Sequence, residues 1–130
     1  MNKKHYEVVA ALIEKDGLIF CSKRGPKGEC AYKWEFPGGK IEQGETKEEA
    51  LKREIKEELD GEVIVEKYIA TVNHEYDTFS ITMHVYKCSL LDHLVLKEHI
   101  DYKWVKKEEL MNIDFAEADK KILVFLINSL

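Results

Sequence analysis

With 130 residues, the chain is long enough to bury the core of one domain, and no Pro-, Gly- or Ser-rich linker divides it. Hydrophobic residues make up 45% and charged residues 35% of the composition, which excludes a disordered chain. The net charge of −5 argues against a nucleic-acid polymer as partner. An acidic protein that holds a phosphate chain is expected to recruit a divalent cation.

The cysteines and the apolar segments indicate where such a protein works. The three cysteines, Cys21, Cys30 and Cys88, are an odd number without metal-type spacing, so neither a disulfide framework nor a zinc site is predicted. Reduced thiols favour a cytoplasmic location. The longest apolar stretches, such as residues 8–13, are too short for a membrane span, and we expect no membrane partner.

Apolar periodicity and turn residues predict where helices and strands begin and end. The sequence predicts a hairpin over residues 6–14 and 18–22, a loop over 25–31, an irregular segment over 34–41, a helix over 46–59, strands over 62–74, 79–89 and 102–105, and a helix over 116–130. Asp16-Gly17 is the turn signal of the hairpin. Several strand pairs are joined too briefly for parallel crossovers, which predicts a mixed β-sheet flanked by helices in one domain, residues 1–130.

The predicted helix over residues 46–59 carries an unusual number of carboxylates. Its apolar positions recur four residues apart, at Leu51, Ile55 and Leu59. The adjoining arc brings Glu54, Glu57 and Glu58 side by side, and like charges at this spacing destabilise an isolated helix. A cation would remove that penalty, and ligands that are all oxygens favour magnesium or manganese.

A second interpretation of this helix is a solvated acidic face balanced by its own basic residues, which are Lys47, Lys52, Arg53 and Lys56. The loop before the helix favours the metal site. Loop and helix together follow the pattern Gly, five residues, Glu, seven residues and then Arg-Glu-aliphatic-any-Glu-Glu. The residues in this register are Gly39, Glu45, Arg53, Glu54, Ile55, Glu57 and Glu58. The pattern resembles the Nudix box. The resemblance implies the Nudix fold, an α-β-α sandwich, and hydrolysis of a phosphoanhydride bond.

The chain departs from the family motif just after the helix. The glycine of the motif falls on Asp60, and Gly61 occupies the place of an aliphatic residue. Asp adopts the left-handed conformation of a helix end less readily than Gly. The departure bears on how the helix ends and leaves the metal ligands untouched.

The resemblance also implies roles for the residues of the box. Nudix hydrolases use Mg²⁺, for which Mn²⁺ can substitute, and the implied ligands are Glu54, Glu57, Glu58 and the backbone carbonyl of Gly39. Arg53 would orient the carboxylates, which suits its forked donors. Glu45 would buttress loop and helix, and Gly38 is a structural residue of the motif. The general base is left open between a helix glutamate and Glu98 in a downstream loop.

Outside the box, residues 34–42 resemble the MutT-like branch, whose members act on nucleoside triphosphates and have short chains. Arg24 matches a position in this branch that contacts the phosphates or sugar, and the alternative is a solvated surface arginine. Lys40 is implied as a further substrate contact. Tyr76, Phe79 and Met83 are candidates for stacking on the base, with core packing as the favoured interpretation.

Asp119, near the start of the last predicted helix, matches the site where this branch places Asn or Asp to recognise the base. An ionised carboxylate only accepts hydrogen bonds, so Asp119 suits the amino group of (d)CTP or the N1 and N2 side of 8-oxo-dGTP. The alternative is a helix-start residue favoured by the helix dipole.

The sequence therefore predicts a magnesium-dependent pyrophosphohydrolase of nucleoside triphosphates, acting on a small nucleotide as a monomer or a homodimer. Two alternatives are a Nudix hydrolase of ADP-ribose, dinucleoside polyphosphates or sugar nucleotides, and a nucleotide-binding module without catalysis. Such modules usually lack carboxylates of the box. All of those carboxylates are present here, which favours the enzyme.

Overall fold

The computed structural model describes residues 3–91, 93–97 and 99–129, with side chains as far as residue 126. Its strands are β1 (Lys4–Lys15), β2 (Leu18–Lys23), β3 (Trp34–Glu35), β4 (Gly38–Lys40), β5 (Val63–Glu75), β6 (Phe79–Leu90) and β7 (Asp101–Lys106). Its α-helices are α1 (Lys47–Leu59) and α2 (Glu117–Ser129), and Lys107–Asn112 form a 3-10 helix that the periodicity did not predict.

The sheet is mixed, as predicted, because one of its pairings is parallel. β1 runs parallel to β6 over eleven registered pairs, from Lys4 with Phe79 to Glu14 with Ser89. The other pairings between named strands are antiparallel: β1 with β2 and β4, β2 with β3 and β7, and β5 with β6. The turn between β1 and β2 is formed by Asp16 and Gly17, both at positive φ, which confirms the predicted hairpin.

The two faces of the sheet alternate along β1 and are each covered by a helix. Val9, Ala11 and Ile13 point into a core shared with the apolar side of α1. Ala10 and Leu12 point into the opposite core, which is shared with α2. The predicted α-β-α sandwich is therefore confirmed, and no helix in the described part of the chain is long and apolar enough to span a membrane.

Helix α1 begins as its sequence predicts. Thr46 accepts a hydrogen bond from the backbone N–H of Glu49, and the Glu49 carboxylate accepts one from the backbone N–H of Thr46. This reciprocal capping box satisfies two donors that the first turn otherwise leaves without partners. The start of the helix, and with it the register of the box carboxylates, is thereby fixed.

The exit from α1 shows how the chain manages without the glycine of the motif. Asp60 takes up the left-handed conformation itself, with φ 49° and ψ 30°, and its N–H donates to the carbonyl of Lys56. Its carboxylate lies 3.2 Å from the ammonium of Lys56, which lowers the pKa of Asp60. Gly61 lies close to Leu94, whose side chain would have to shift to accommodate a Cβ at this position.

The exit predicts a ranking of variants at position 60. Asp60→Ala keeps a Cβ in the left-handed region and loses the ion pair, whereas Asp60→Gly loses the ion pair and removes the backbone strain. We expect the glycine variant to exceed the alanine variant in free energy of unfolding by about 1 kcal/mol. Urea denaturation measures this difference, and equal stability of the two variants would contradict the strain argument.

Candidate active site

The glycine loop, which comprises β4 and residues 41–45, lies between β1 and α1. Gly38 and Gly39 allow this close approach. A Cβ on Gly38 would overlap the backbone of Val9 and Ala10. A Cβ on Gly39 would overlap the carboxyl group of Glu54. The missing side chains therefore let the loop backbone lie directly against both β1 and the acidic face of α1.

The loop and the helix are braced by the guanidinium of Arg53. Its Nε and Nη2 donate to the two oxygens of Glu45 at 2.6 and 2.9 Å, and Nη2 also donates to the carbonyl of Lys40 at 2.9 Å. Nη1 donates to Glu54 at 2.8 Å and to Glu57 at 3.1 Å. The pKa of Glu45 is lowered to about 2, first by its hydrogen bonds to Arg53, so the brace stays charged.

The three predicted metal carboxylates have different surroundings. The side chain of Glu54 is 14% exposed and that of Glu57 is 58% exposed. Glu58 lines a cavity beside the loop, which is the main cavity of the site. Burial raises the pKa of Glu54, and Arg53 opposes that shift. Within the described residues, no three His, Cys, Asp or Glu side chains are gathered into a metal-binding group as they stand, so these carboxylates would have to turn towards a common ion to bind it.

A cavity of about 490 Å³ opens beside the glycine loop. It gathers predicted site residues from separate parts of the chain, which are Arg24, Gly38, Gly39, Lys40, Glu58 and Asp119. The three candidates for base stacking, Tyr76, Phe79 and Met83, line it too. Its volume is in the range of small-molecule sites.

The aromatic residues that line the cavity also pack against the hydrophobic core. The rings of Tyr76 and Phe79 stack at a centroid distance of 4.7 Å, and Met83 is a buried core residue. The hydroxyl of Tyr76 accepts a hydrogen bond from the backbone N–H of Ala118 at 3.0 Å, which ties the wall to the start of α2. Core packing and cavity lining are thus not exclusive alternatives for these side chains.

Asp119 lies in the third position of α2 and is only 3% exposed. Its Oδ2 accepts a hydrogen bond from the backbone N–H of Phe36 at 3.0 Å. Burial raises the pKa of Asp119 well above its usual range, with the nearby carboxylate of Glu35 adding to the shift. A solvated helix-start carboxylate would show neither the burial nor the contact with Phe36.

The side chain of Arg24 is 44% exposed, lines the cavity and forms an ion pair. Its Nη1 donates to Oε1 of Glu35 at 3.1 Å, and the proximity of Glu35 contributes to a raised pKa of the guanidinium. The ammonium of Lys40 lies 4.1 Å from the ring centroid of Tyr6. Both cationic side chains are therefore held at the cavity by a neighbouring residue.

Several residues of the site were not singled out from the sequence. Glu35 and Cys30 line the cavity, and so does Glu29, whose carboxylate accepts from the backbone N–H of Asp77 and Thr78. Their contacts join residues far apart in the chain, so no local motif signals them. Glu98, a candidate general base, lies outside the described residues.

Comparisons with known proteins agree with this geometry. Residues 8–124 match the family model described as NUDIX domain. The CTP pyrophosphohydrolase of Escherichia coli (strain K12) is 37% identical over 123 residues, which covers 92% of this chain and 90% of the relative. The 8-oxo-dGTP diphosphatase of Haemophilus influenzae is 32% identical over 130 residues, with 98% and 96% covered.

Among solved structures, that of the E. coli ORF135 protein has a TM-score of 0.86 at 35% identity, and the match covers 97% of this chain and 91% of that one. The match of the family model extends over most of the chain, including the loop, the braced helix and the cavity walls. This chain belongs to the Nudix family of hydrolases.

Proposed function

We propose that the chain is a magnesium-dependent pyrophosphohydrolase of nucleoside triphosphates, which releases a nucleoside monophosphate and diphosphate. The substrates we favour are (d)CTP or an oxidised nucleotide such as 8-oxo-dGTP, since two relatives are named for CTP and for 8-oxo-dGTP. One observation carries the proposal. A single cavity is lined by Gly39 and Glu58 of the box and by the buried carboxyl group of Asp119. A nucleotide needs both kinds of group within reach, one for its phosphates and one for its base.

The residues of the box fit a hard divalent cation. Glu54, Glu57, Glu58 and the carbonyl of Gly39 offer only oxygen donors, which Mg²⁺ and Mn²⁺ prefer. The absence of a side chain at Gly39 supports the fit, because a Cβ would occupy the space of the Glu54 carboxyl group. A bound ion would offset charge on the phosphates and lower the pKa of an attacking water.

The chain's own residues would orient the reactants. Arg53 holds Glu54 and Glu57 by hydrogen bonds and so limits the positions their carboxylates can take. Arg24 and Lys40 bring positive charge to a cavity in an acidic protein, where the phosphate chain would otherwise be repelled. The proton of the attacking water would pass to a helix glutamate or to Glu98.

The environment of Asp119 bears on the choice of base. When ionised, its carboxylate accepts from the N1 and N2 donors of an oxidised guanine. When protonated, it donates as well as accepts, which complements N3 and the amino group of cytosine. Burial raises the pKa of Asp119, so the protonated form is more accessible than in an exposed aspartate, and the protonation state of Asp119 would distinguish the two substrate classes.

Metal dependence is the first expected outcome. We expect hydrolysis to need Mg²⁺ or Mn²⁺ and Glu58→Gln to lower kcat at least about 100-fold, because metal placement and water activation fail together. Glu48→Gln, an exposed change on the first turn of the same helix, should leave kcat within about threefold. Steady-state kinetics, with the products identified by mass, measure these effects. Full activity in excess chelator would contradict the assignment of a metal-dependent site.

Recognition of the base is tested at Asp119. We expect Asp119→Ala to lower kcat/KM for the preferred triphosphate about 10- to 150-fold, because the variant loses a hydrogen bond to the edge of the base. Poor triphosphate substrates never made that bond and should lose much less, so selectivity collapses while metal dependence persists. A nucleotide panel measures both effects. Equal losses for all bases would show that the base is recognised elsewhere.

The stability of the protein should also depend on the protonation of Asp119. Burial raises the pKa of Asp119 in the folded state. The protonated carboxyl group therefore contributes fully to the free energy of unfolding below the unfolded-state pKa of about 4, and this contribution is lost as pH rises through the folded-state pKa. Asp119→Asn cannot ionise and keeps an acceptor for Phe36. Relative to wild type, its free energy of unfolding should be higher at pH 9, and this gain should shrink towards pH 4. Urea unfolding between pH 4 and pH 9 measures the difference in unfolding free energy between the variant and wild type. A difference that does not change with pH would contradict the raised pKa of Asp119.

A further inference from the structure

Glu35, in β3, uses both oxygens of its carboxylate, and each oxygen holds a different part of the chain. Oε1 accepts from Nη1 of Arg24 at 3.1 Å, and Oε2 lies 2.7 Å from Nε2 of His99. The side chain of His99 is 6% exposed, that of Glu35 is 16% and that of Arg24 is 44%. The largely buried side chains of His99 and Glu35 therefore support the exposed guanidinium of Arg24, which lines the main cavity.

The histidine belongs to a segment that connects the two halves of the site. This bridging segment comprises residues 93–97 and 99–100. The N–H of Lys97 donates to the carbonyl of Glu58 in α1 at 3.2 Å, and the N–H of Ile100 donates to the carbonyl of Lys23 at the end of β2 at 3.0 Å. The backbone of the segment is thus tied to the acidic helix at one end and to the strand before the guanidinium at the other.

We propose that Glu35 is a positioning residue that joins Arg24 to the bridging segment through His99, and so sets where the guanidinium meets the phosphates of the substrate. The inference rests on the proposed function for that phosphate contact. Arginine carries a rotamer-rich side chain, and a guanidinium held by a fixed carboxylate loses less freedom on binding. The imidazole fixes the carboxylate, because a Glu35 with one partner can rotate about its last torsion.

A double-mutant cycle between His99 and Arg24 tests the linkage, since Glu35 contacts both of these side chains. We expect His99→Leu to lower kcat/KM about tenfold, chiefly by raising KM. In an Arg24→Ala protein, the same histidine change should cost less than about twofold, because there is no guanidinium left to position. Equal losses in both backgrounds would show a merely structural role and overturn the proposal.

Two further variants separate positioning from packing. His99→Gln places an amide nitrogen near the site of Nε2, and we expect its KM to stay within about threefold of wild type. His84→Leu removes a comparable histidine, 11% exposed and 2.9 Å from Glu7, which does not line the cavity. This control should lose stability and keep its KM. A glutamine variant as poor as the leucine variant, or a raised KM in the control, would count against the proposal.

A measurement without substrate keeps the inference distinct from the proposed function. Glu35→Gln replaces one carboxylate oxygen by an amide nitrogen, which cannot accept a hydrogen bond, so the contacts to Arg24 and His99 are not both kept as they stand. Hydrogen exchange at the amides of Lys97 and Ile100 should become at least about tenfold faster in this variant and in His99→Leu than in wild type. Unchanged exchange overturns the linkage. If the wild-type protein hydrolyses no nucleoside triphosphate, the proposed function fails, and the exchange rates alone support or refute the linkage.

Discussion

The site depends on one guanidinium that holds four carboxylates and a loop carbonyl in place. Arg53 is 22% exposed, and its forked donors reach Glu45 in the loop, Glu54 and Glu57 on its own helix, and the carbonyl of Lys40, while Glu42 lies 3.4 Å away. Such a cluster of negative charge could not persist without a cation that donates in several directions at once. The same contacts tie the glycine loop to α1. An acidic face that would weaken an isolated helix thereby becomes part of a braced surface.

The sheet gives this surface its setting. Gly38 and Gly39 belong to β4, which pairs with the middle of β1, so the loop is a continuation of the sheet. On the other side of β1, strand β6 carries Phe79 and Met83 to the same cavity. Polar groups for a phosphate chain and an apolar wall for a base therefore come from neighbouring strands, and the buried start of α2 closes the space.

The sequence predicted those features that are encoded by short spacings. The turn at Asp16-Gly17, the start of the helix at Thr46 and the register of the box carboxylates all depend on residues within a few positions of each other. The pairing of His99 with Glu35 spans 64 positions, and that of Asp119 with Phe36 spans 83. No periodicity signals such contacts, because they exist only once the sheet has brought distant segments together. For the same reason Arg24 could be placed at the site only by resemblance, and its ion pair with Glu35 came from the structure.

The parallel pairing of β1 with β6 has a consequence for how the protein folds. Every registered pair joins residues about 75 positions apart, so the entropy of closing this long loop must be met before the contacts form. Helix α1 and the β1–β2 hairpin need only local contacts and are able to form early. The cavity needs β1, β6 and α2 together, so we expect its walls to assemble after these local elements have formed. Until then, the chain carries the acidic helix without the pocket beside it, and competence for binding a nucleotide arises only with the completed sheet.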